Sequence, residues 1–272
     1  MVIDAHQHFW RLADRAGQWP PATLAGIHRD FGPDDLRPLM AAAGVSGTVL
    51  VQSLPTAEDT GYLLDIAAAS DFVLGVVGWV DMKAPGAPDQ IARLAARPKF
   101  RGIRPMLQDL PEDDWIDDPA LDAAAGALVR HGLTFDALVL PRHLKALAAF
   151  VRRHPALPVV IDHGAKPRIA SGHIAGWRDD LAALAALPNV HCKLSGLLTE
   201  AGGRCEAAAL RPYAETLLSL FGPGRVMFGS DWPVLRLAGD YAGWLAMARD
   251  FVPAADHAAV FAGNARAFYR LG

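Results

Sequence analysis

Residues 2–9, Val2-Ile3-Asp4-Ala5-His6-Gln7-His8-Phe9, run from an apolar start into two histidines spaced by one. Read as a β-strand, whose side chains alternate with period two, the stretch sends Asp4, His6 and His8 to the same side. Two imidazoles then converge on one point. Such a pair can hold a divalent metal or polarise a carbonyl, provided further ligands or a base come from elsewhere in the chain. Two distant stretches offer them. Residues 160–164 (VIDHG) and 226–233 (VMFGSDWP) each carry an apolar strand into a potential ligand and then a breaker.

Between these points strands and helices alternate. Strands are expected at 47–53, 72–80, 100–106, 133–140, 158–163, 190–195 and 225–230, after the first at 2–9. Helical patterns occupy 33–43, 57–70, 87–97, 119–131, 141–154, 173–187, 206–221, 241–251 and 254–271. The segment from Trp10 to Gly32 is long for a structureless connection and is expected to cover something. Eight strand–helix units, with strands apolar on both faces, call for a parallel sheet wrapped in helices. The fold class is therefore α/β, a (β/α)₈ barrel formed by one domain over residues 1–272, a length usual for such barrels. A doubly wound dinucleotide fold is disfavoured, because no Gly-x-Gly-x-x-Gly follows the first strand.

Composition narrows the function further. The chain has 272 residues, 52% hydrophobic and 20% charged, with a net charge of −3. Its cations are scattered singly or in pairs, so the basic stripe that nucleic acid requires is missing. Two cysteines, Cys192 and Cys205, make neither a disulfide framework nor a cysteine-based zinc site. No signal-peptide pattern opens the chain and no run of 18 apolar residues interrupts it, which predicts a cytoplasmic protein without a membrane partner. Oligomeric state is not legible.

Chemistry in such a barrel sits at the C-terminal ends of the strands. Those ends carry His6 and His8, Gln52, Trp79, Arg104, His163, Lys193 with Ser195, and Asp231. Arg104 alone would ordinarily be paired with a carboxylate such as Asp109, and a lone His163 is ordinarily a satisfied strand-end histidine. Asp231 is the stronger signal, since it follows an apolar strand directly. Parity with His191 and Ser195 turns Lys193 into the barrel mouth, where it must be paired or bound to an anion. Asp14, Glu58, Glu112 and Glu200 fall in loops and read as solvated.

Residues 4–10 (DAHQHFW), 102–109 (GIRPMLQD), 161–167 (IDHGAKP), 192–201 (CKLSGLLTEA) and 227–234 (MFGSDWPV), with the closing 263–265 (GNA), resemble the signatures of the amidohydrolase superfamily. More narrowly they are similar to its branch of sugar-acid lactonases, the fuconolactonase-like and rhamnonolactonase-like proteins. The resemblance implies a barrel hydrolase that opens a lactone ring, with His6, His8, His163 and Asp231 at its centre. Asp231 is then the expected base. The three histidines either bind one divalent ion, zinc or similar, together with Asp231, or donate hydrogen bonds to the carbonyl themselves; members of the branch both with and without a metal requirement are known. Arg104 and Lys193 are expected at substrate carboxylate or hydroxyl oxygens, and Gln52, Trp79 and Ser195 in the pocket wall. Trp10 is expected to offer a flat face to a sugar ring.

A bridged two-metal centre is not expected, because strand four ends Arg104-Pro105-Met106 and strand five shows Phe135-Asp136 in place of a bridging group and a histidine. Pro105 also stands where many fuconolactonase-like members carry histidine. Two rival functions remain from the sequence: a metal-dependent decarboxylase of an aromatic or muconate-type acid, and a non-catalytic sugar-acid binding protein.

Overall fold

The computed structural model describes residues 1–15 and 17–272. Its strands β1 (Ile3–Gln7), β2 (Gly47–Val51), β3 (Val73–Gly78), β4 (Phe100–Ile103), β5 (Thr134–Ala137), β6 (Val159–Ile161), β7 (Val190–Leu194) and β8 (Val226–Phe228) neighbour one another in chain order. Every pairing is parallel. The sheet closes at its mouth, where the His8 amide donates to the Trp232 carbonyl (2.7 Å) and the Asp231 amide to the His6 carbonyl (2.8 Å). The result is the expected (β/α)₈ barrel.

Each strand feeds one helix: α1 (Pro33–Ala43), α2 (Ala57–Ala69), α3 (Ala87–Ala95), α4 (Asp122–Arg130), α5 (Leu144–Arg153), α6 (Ala175–Ala185), α7 (Ala207–Phe221) and α8 (Tyr241–Phe251). Local chemistry sets several of their ends. In α1, Pro33 occupies the first turn, the Asp35 carboxylate accepts from the Gly32 amide (3.0 Å), and Gly44 stops the helix in the left-handed region at φ 68°. The Thr56 hydroxyl caps α2 and the Asp240 carboxylate caps α8. The helical patterns at 119–131 and 141–154 each open with a single 3₁₀ turn before the α-helix begins. The 254–271 pattern breaks into a 3₁₀ turn, a π turn over Ala259–Gly263 and a short helix α9 (Asn264–Phe268).

The core has two layers. Between sheet and helices lies a large apolar cluster, to which Val76, Ile103, Phe135, Ile161, Cys192 and Phe228 contribute from the strands. Inside the barrel, Ile3, Ala5, Val49, Val51, Val77, Val160 and Met227 form a second cluster, plugged from below by Phe268, Tyr269 and Leu271. Full burial of such side chains is worth about 1.5–3 kcal/mol each. The plug turns the barrel floor into solid core and leaves only the upper end for ligands. Among the described residues, no helix is long and apolar enough to cross a membrane.

Simple alternation fails in β1. Ile3 and Ala5 face the barrel interior, whereas the Asp4 carboxylate faces outward and accepts from the Tyr241 hydroxyl of α8 (3.0 Å) and from the Ser230 amide and hydroxyl (2.8 and 2.6 Å). The register of β1 against β2 shifts between Asp4 and Gln7. That irregularity lets His6 turn inward although Ala5 does so too, and it removes Asp4 from the group it was expected to join.

Candidate active site

At the mouth of the barrel four side chains meet. His8 Nε2 lies 3.2 Å from both His6 Nε2 and Asp231 Oδ1, while His6 Nε2 and His163 Nε2 stand 3.7 and 3.8 Å from that same carboxylate oxygen. The His6 and His163 rings are 4.5 Å apart. All four residues are buried. Backbone conformation serves the placement: the turn after β6 holds His163 at φ 54°, and Asp231 sits at φ 59°. Such left-handed residues cost about 1–3 kcal/mol and persist where surrounding structure enforces them.

Supporting bonds fix the rings. The His8 Nδ1–H donates to the Val51 carbonyl (2.7 Å), which turns Nε2 toward Asp231. His163 Nδ1 is hydrogen-bonded to the Ser195 hydroxyl (2.8 Å), so its Nε2 also points at the cluster. Below His6 lies a charged group that reaches down the barrel. Lys193 Nζ is 2.6 Å from Asp136 Oδ2, 2.9 Å from Asp162 Oδ1 and 3.1 Å from His6 Nδ1, and the Tyr269 hydroxyl of the C-terminal plug donates to Asp136 (2.6 Å). Arg104 completes it. Its Nη1 is 3.2 Å from Asp162 Oδ2 and 3.3 Å from His6 Nε2, and its Nη2 donates to the Gln52 carbonyl.

This environment sets the protonation states. Burial by itself would raise the Asp231 carboxyl, but His163, His8 and His6 around it prevail and hold it well below the usual carboxylate range. Burial lowers His163 to about 4 against the pull of Asp231 and Asp162. His6 is likewise lowered, by burial first, with Lys193 and His163 adding to the effect. Asp162, next to Lys193, His6 and Arg104, is held low in spite of its burial, whereas burial and the neighbouring Asp162 raise Asp136. The cluster therefore presents an ionised carboxylate between neutral His6 and His163 at neutral pH.

Above it opens a cavity of about 400 Å³, within the range of small-molecule sites. His8, His163, Asp231 and Arg104 form its floor, Ser53, Gln108, Asp109 and Lys166 supply polar groups, and Trp19, Leu24, Leu54, Met106, Leu138 and Val234 supply apolar wall. Five expected pocket residues are not in its lining. Lys193 is spent on Asp136 and Asp162, one layer too deep to reach a ligand. Ser195 orients His163, and the Gln52 side chain donates to the Arg104 carbonyl (2.6 Å). Trp79 is half-buried elsewhere, with its amide bonded to Thr60 Oγ1. Trp10 packs behind the wall: its indole donates to the Arg29 carbonyl and its ring meets Trp19 edge-on, so Trp19 is the aromatic residue that faces the cavity.

Other pairings also differ from expectation. Arg104 pairs with Asp162, not with Asp109, which stands exposed at the cavity rim. Glu200 is not solvated but lies half-buried, 3.1 Å from Lys166 Nζ. Asp162 and Lys166 belong to the same short stretch as His163, and an acid directly before a strand-end histidine was a readable signal. Trp19 carried none, lying in a loop without periodic pattern, and Ser53 closed the strand expected at 47–53 with nothing to mark it as part of the wall.

The donor set suits a metal ion. His6, His163 and Asp231 each offer one ligand atom, all within 4.8 Å of one another. Two ligands ~2.0–2.1 Å from a tetrahedral zinc lie roughly 3.3–3.5 Å apart, close to the 3.7 and 3.8 Å separations from Asp231 Oδ1. Nitrogen and carboxylate ligands from three different strand ends, with the histidine rings pinned through their other nitrogens, are what a one-ion zinc centre requires. This is the only such group among the described residues, and neither Arg104 on β4's end nor Asp136 on β5 extends it.

The amidohydrolase family profile matches residues 3–271. The L-fucono-1,5-lactonase of Burkholderia ambifaria is 58% identical over 276 residues, covering 99% of this chain and 95% of the relative. A crystal structure of an amidohydrolase from Burkholderia multivorans with bound zinc superposes with a TM-score of 0.93 at 37% identity, over the whole of both chains. The 5-carboxyvanillate decarboxylase of Sphingomonas paucimobilis, at 17% identity and a TM-score of 0.69 over 100% of this chain and 99% of that one, shares the fold. With a profile match over nearly its whole length and a centre of three histidines and one aspartate at the barrel mouth, the chain belongs to the amidohydrolase family.

Proposed function

We propose that this protein hydrolyses the ring ester of a sugar-acid lactone of the L-fucono-1,5-lactone type. The observation that carries the proposal is the 58% identity to an L-fucono-1,5-lactonase across 99% of the chain. In the reaction a water oxygen bonds to the carbonyl carbon, the acyl–oxygen bond of the ring breaks, and the ring oxygen leaves as a hydroxyl. Asp231, ionised through the neutral range, accepts the proton of the attacking water and returns it to the departing ring oxygen. Its depressed basicity favours that return. The Arg104 guanidinium, on the cavity floor beside His6, offers positive charge and N–H groups to the carbonyl oxygen as it becomes an oxyanion. Ser195 and Val51 hold the rings of His163 and His8 in register with Asp231. His6, His163 and Asp231, with His8 beside them, would hold a divalent ion, which when bound supplies Lewis acidity and lowers the pKa of bound water toward ~7.

Charge supports an uncharged substrate. The cations in the cavity lining, Arg104 and Lys166, each have their own carboxylate, Asp162 and Glu200. An aromatic or muconate-type acid would bring its carboxylate into a lining that already holds Asp109 and Asp231. The decarboxylase alternative thus rests on shared fold alone. A lactone panel read by a pH indicator tests the proposal, since ring opening at neutral pH releases one proton: turnover is expected to be fastest on L-fucono-1,5-lactone or a close aldonolactone. Carbon dioxide release from an aromatic acid, with no lactone opened, would refute it.

A further inference from the structure

One buried ion pair takes no part in the chemistry described above. Arg15, in the loop between β1 and α1, is 2% exposed, and Asp59, in the first turn of α2, is 8% exposed. The Arg15 guanidinium makes three bonds: Nη2 donates to Asp59 Oδ1 (3.0 Å) and to the Ser53 hydroxyl (2.8 Å), and Nη1 donates to the Trp19 carbonyl (3.0 Å). The other oxygen of Asp59 accepts from the amides of Ser53 (2.9 Å) and Leu54 (3.1 Å). Trp19, Ser53 and Leu54 all line the cavity, whereas Arg15 and Asp59 do not.

We propose that Arg15 and Asp59 form a brace that sets the wall of the cavity opposite the barrel core, and that both are positioning residues governing how tightly the lactone is held. The proposal rests on the lactonase reading of the cavity. Two loops that share no strand pairing are tied through one guanidinium, whose planar fork suits several fixed acceptors at once. The ring of Trp19 is referenced to the same group, because it meets Trp10 edge-on at 5.0 Å and the Arg15 guanidinium lies over Trp10 at 5.4 Å. A buried ion pair adds little net stability, so what it gives the molecule here is geometry. None of the brace touches His6, His8, His163 or Asp231, and its loss should therefore weaken ground-state and transition-state binding alike, which raises KM and leaves kcat in place.

The test uses Arg15→Met, Asp59→Asn, Trp19→Ala and the double variant Arg15→Met/Trp19→Ala on the lactone that the wild-type protein opens fastest, together with hydrogen exchange of the unliganded proteins. Each single variant is expected to raise KM about tenfold with kcat within about twofold, and the double variant to be no worse than the more affected single one, because brace and wall act as a unit. Arg15→Lys keeps the charge against Asp59 but cannot span three acceptors, and should recover melting temperature without recovering KM. In Asp59→Asn, amides at 17–19 and 53–54 should exchange faster while those of α5 and α7 do not. Unchanged KM, additive effects in the double variant, or exchange that rises uniformly would each overturn the brace. Should Arg15→Met fail to fold, Arg15→Lys and Asp59→Asn decide in its place. If the wild-type protein opens no lactone, the functional reading fails by itself, and the exchange pattern alone decides the brace.

Discussion

Gly196 follows β7 at φ +65°, and its missing side chain makes room for His163. A Cβ built there would lie 2.5 Å from His163 Nδ1, 2.6 Å from Cγ and 2.9 Å from Cβ. Ordinary contacts of this kind fall at about 3.5–4.0 Å, so in Gly196→Ala the ring or the backbone must retreat by about 1 Å. The ring has little freedom to do so, being bonded to Ser195 and packed 4.5 Å from the His6 ring. Left-handed alanine costs about 1–2 kcal/mol and overpacking about 1–3 kcal/mol, giving roughly 2–5 kcal/mol of lost stability. A displacement near 1 Å in a reacting constellation costs about 10²-fold in rate, equivalent to about 2.7 kcal/mol of barrier. Steady-state kinetics on L-fucono-1,5-lactone, with thermal melting to confirm folding, read both effects. Gly44→Ala is the control, since Gly44 has nearly the same φ, 68°, and open space around it; it should lose some stability and no activity. A folded Gly196→Ala with wild-type kcat/KM would show that the position of His163 does not limit the reaction.

Three further outcomes are expected. Asp231→Asn keeps the shape of the side chain but not its basicity, so kcat should fall by about 10²–10⁴-fold, and near wild-type turnover would move the base elsewhere. Lys193→Met leaves Asp136 and Asp162 buried beside each other without their shared cation, and chemical denaturation should register a loss of about 3–5 kcal/mol, partly restored by adding Asp136→Asn. His191, lowered to about 4 by burial and by Arg225, stays neutral in the folded state while the unfolded chain takes up a proton below about 6.5. Stability should consequently be lost as pH falls from about 6.5 to about 4, with roughly 2 kcal/mol gone by pH 5. Urea midpoints at pH 7.5 and pH 5 should show His191→Phe to be flatter than the wild-type protein by that amount.

The barrel was legible because its elements repeat a pattern that local physics enforces. Strands apolar on both faces and helices apolar on one leave few other architectures, and Pro33 and Gly44 mark the ends of α1 by backbone chemistry that needs no tertiary context. Departures occur where tertiary structure overrides period. The register shift in β1 turns Asp4 outward and His6 inward, which strict alternation forbids. Strands expected to reach Ser53, Met106 and Leu140 stop at Val51, Ile103 and Ala137, because beyond those points the chain leaves the sheet to build the mouth.

The site was legible to a different degree in each layer. Parity points Lys193 inward and its expected place is the mouth, but parity fixes a face and not a depth, and the depth decides whether a side chain reaches ligand or core. Lys193 lies one level below the mouth, where Asp136 and Tyr269 meet it, and Tyr269 comes from a closing segment that no strand pattern connects to the site. The same limit explains the aromatic wall. Trp10 sits beside the His-x-His motif and could offer a flat face to a sugar ring, yet its ring is turned under a loop whose path depends on Arg15 reaching Asp59, 44 positions away. Strand ends can be read from sequence because eight short runs point there; loops that meet above them are joined by single contacts, and each contact is visible only once the barrel has brought its partners together.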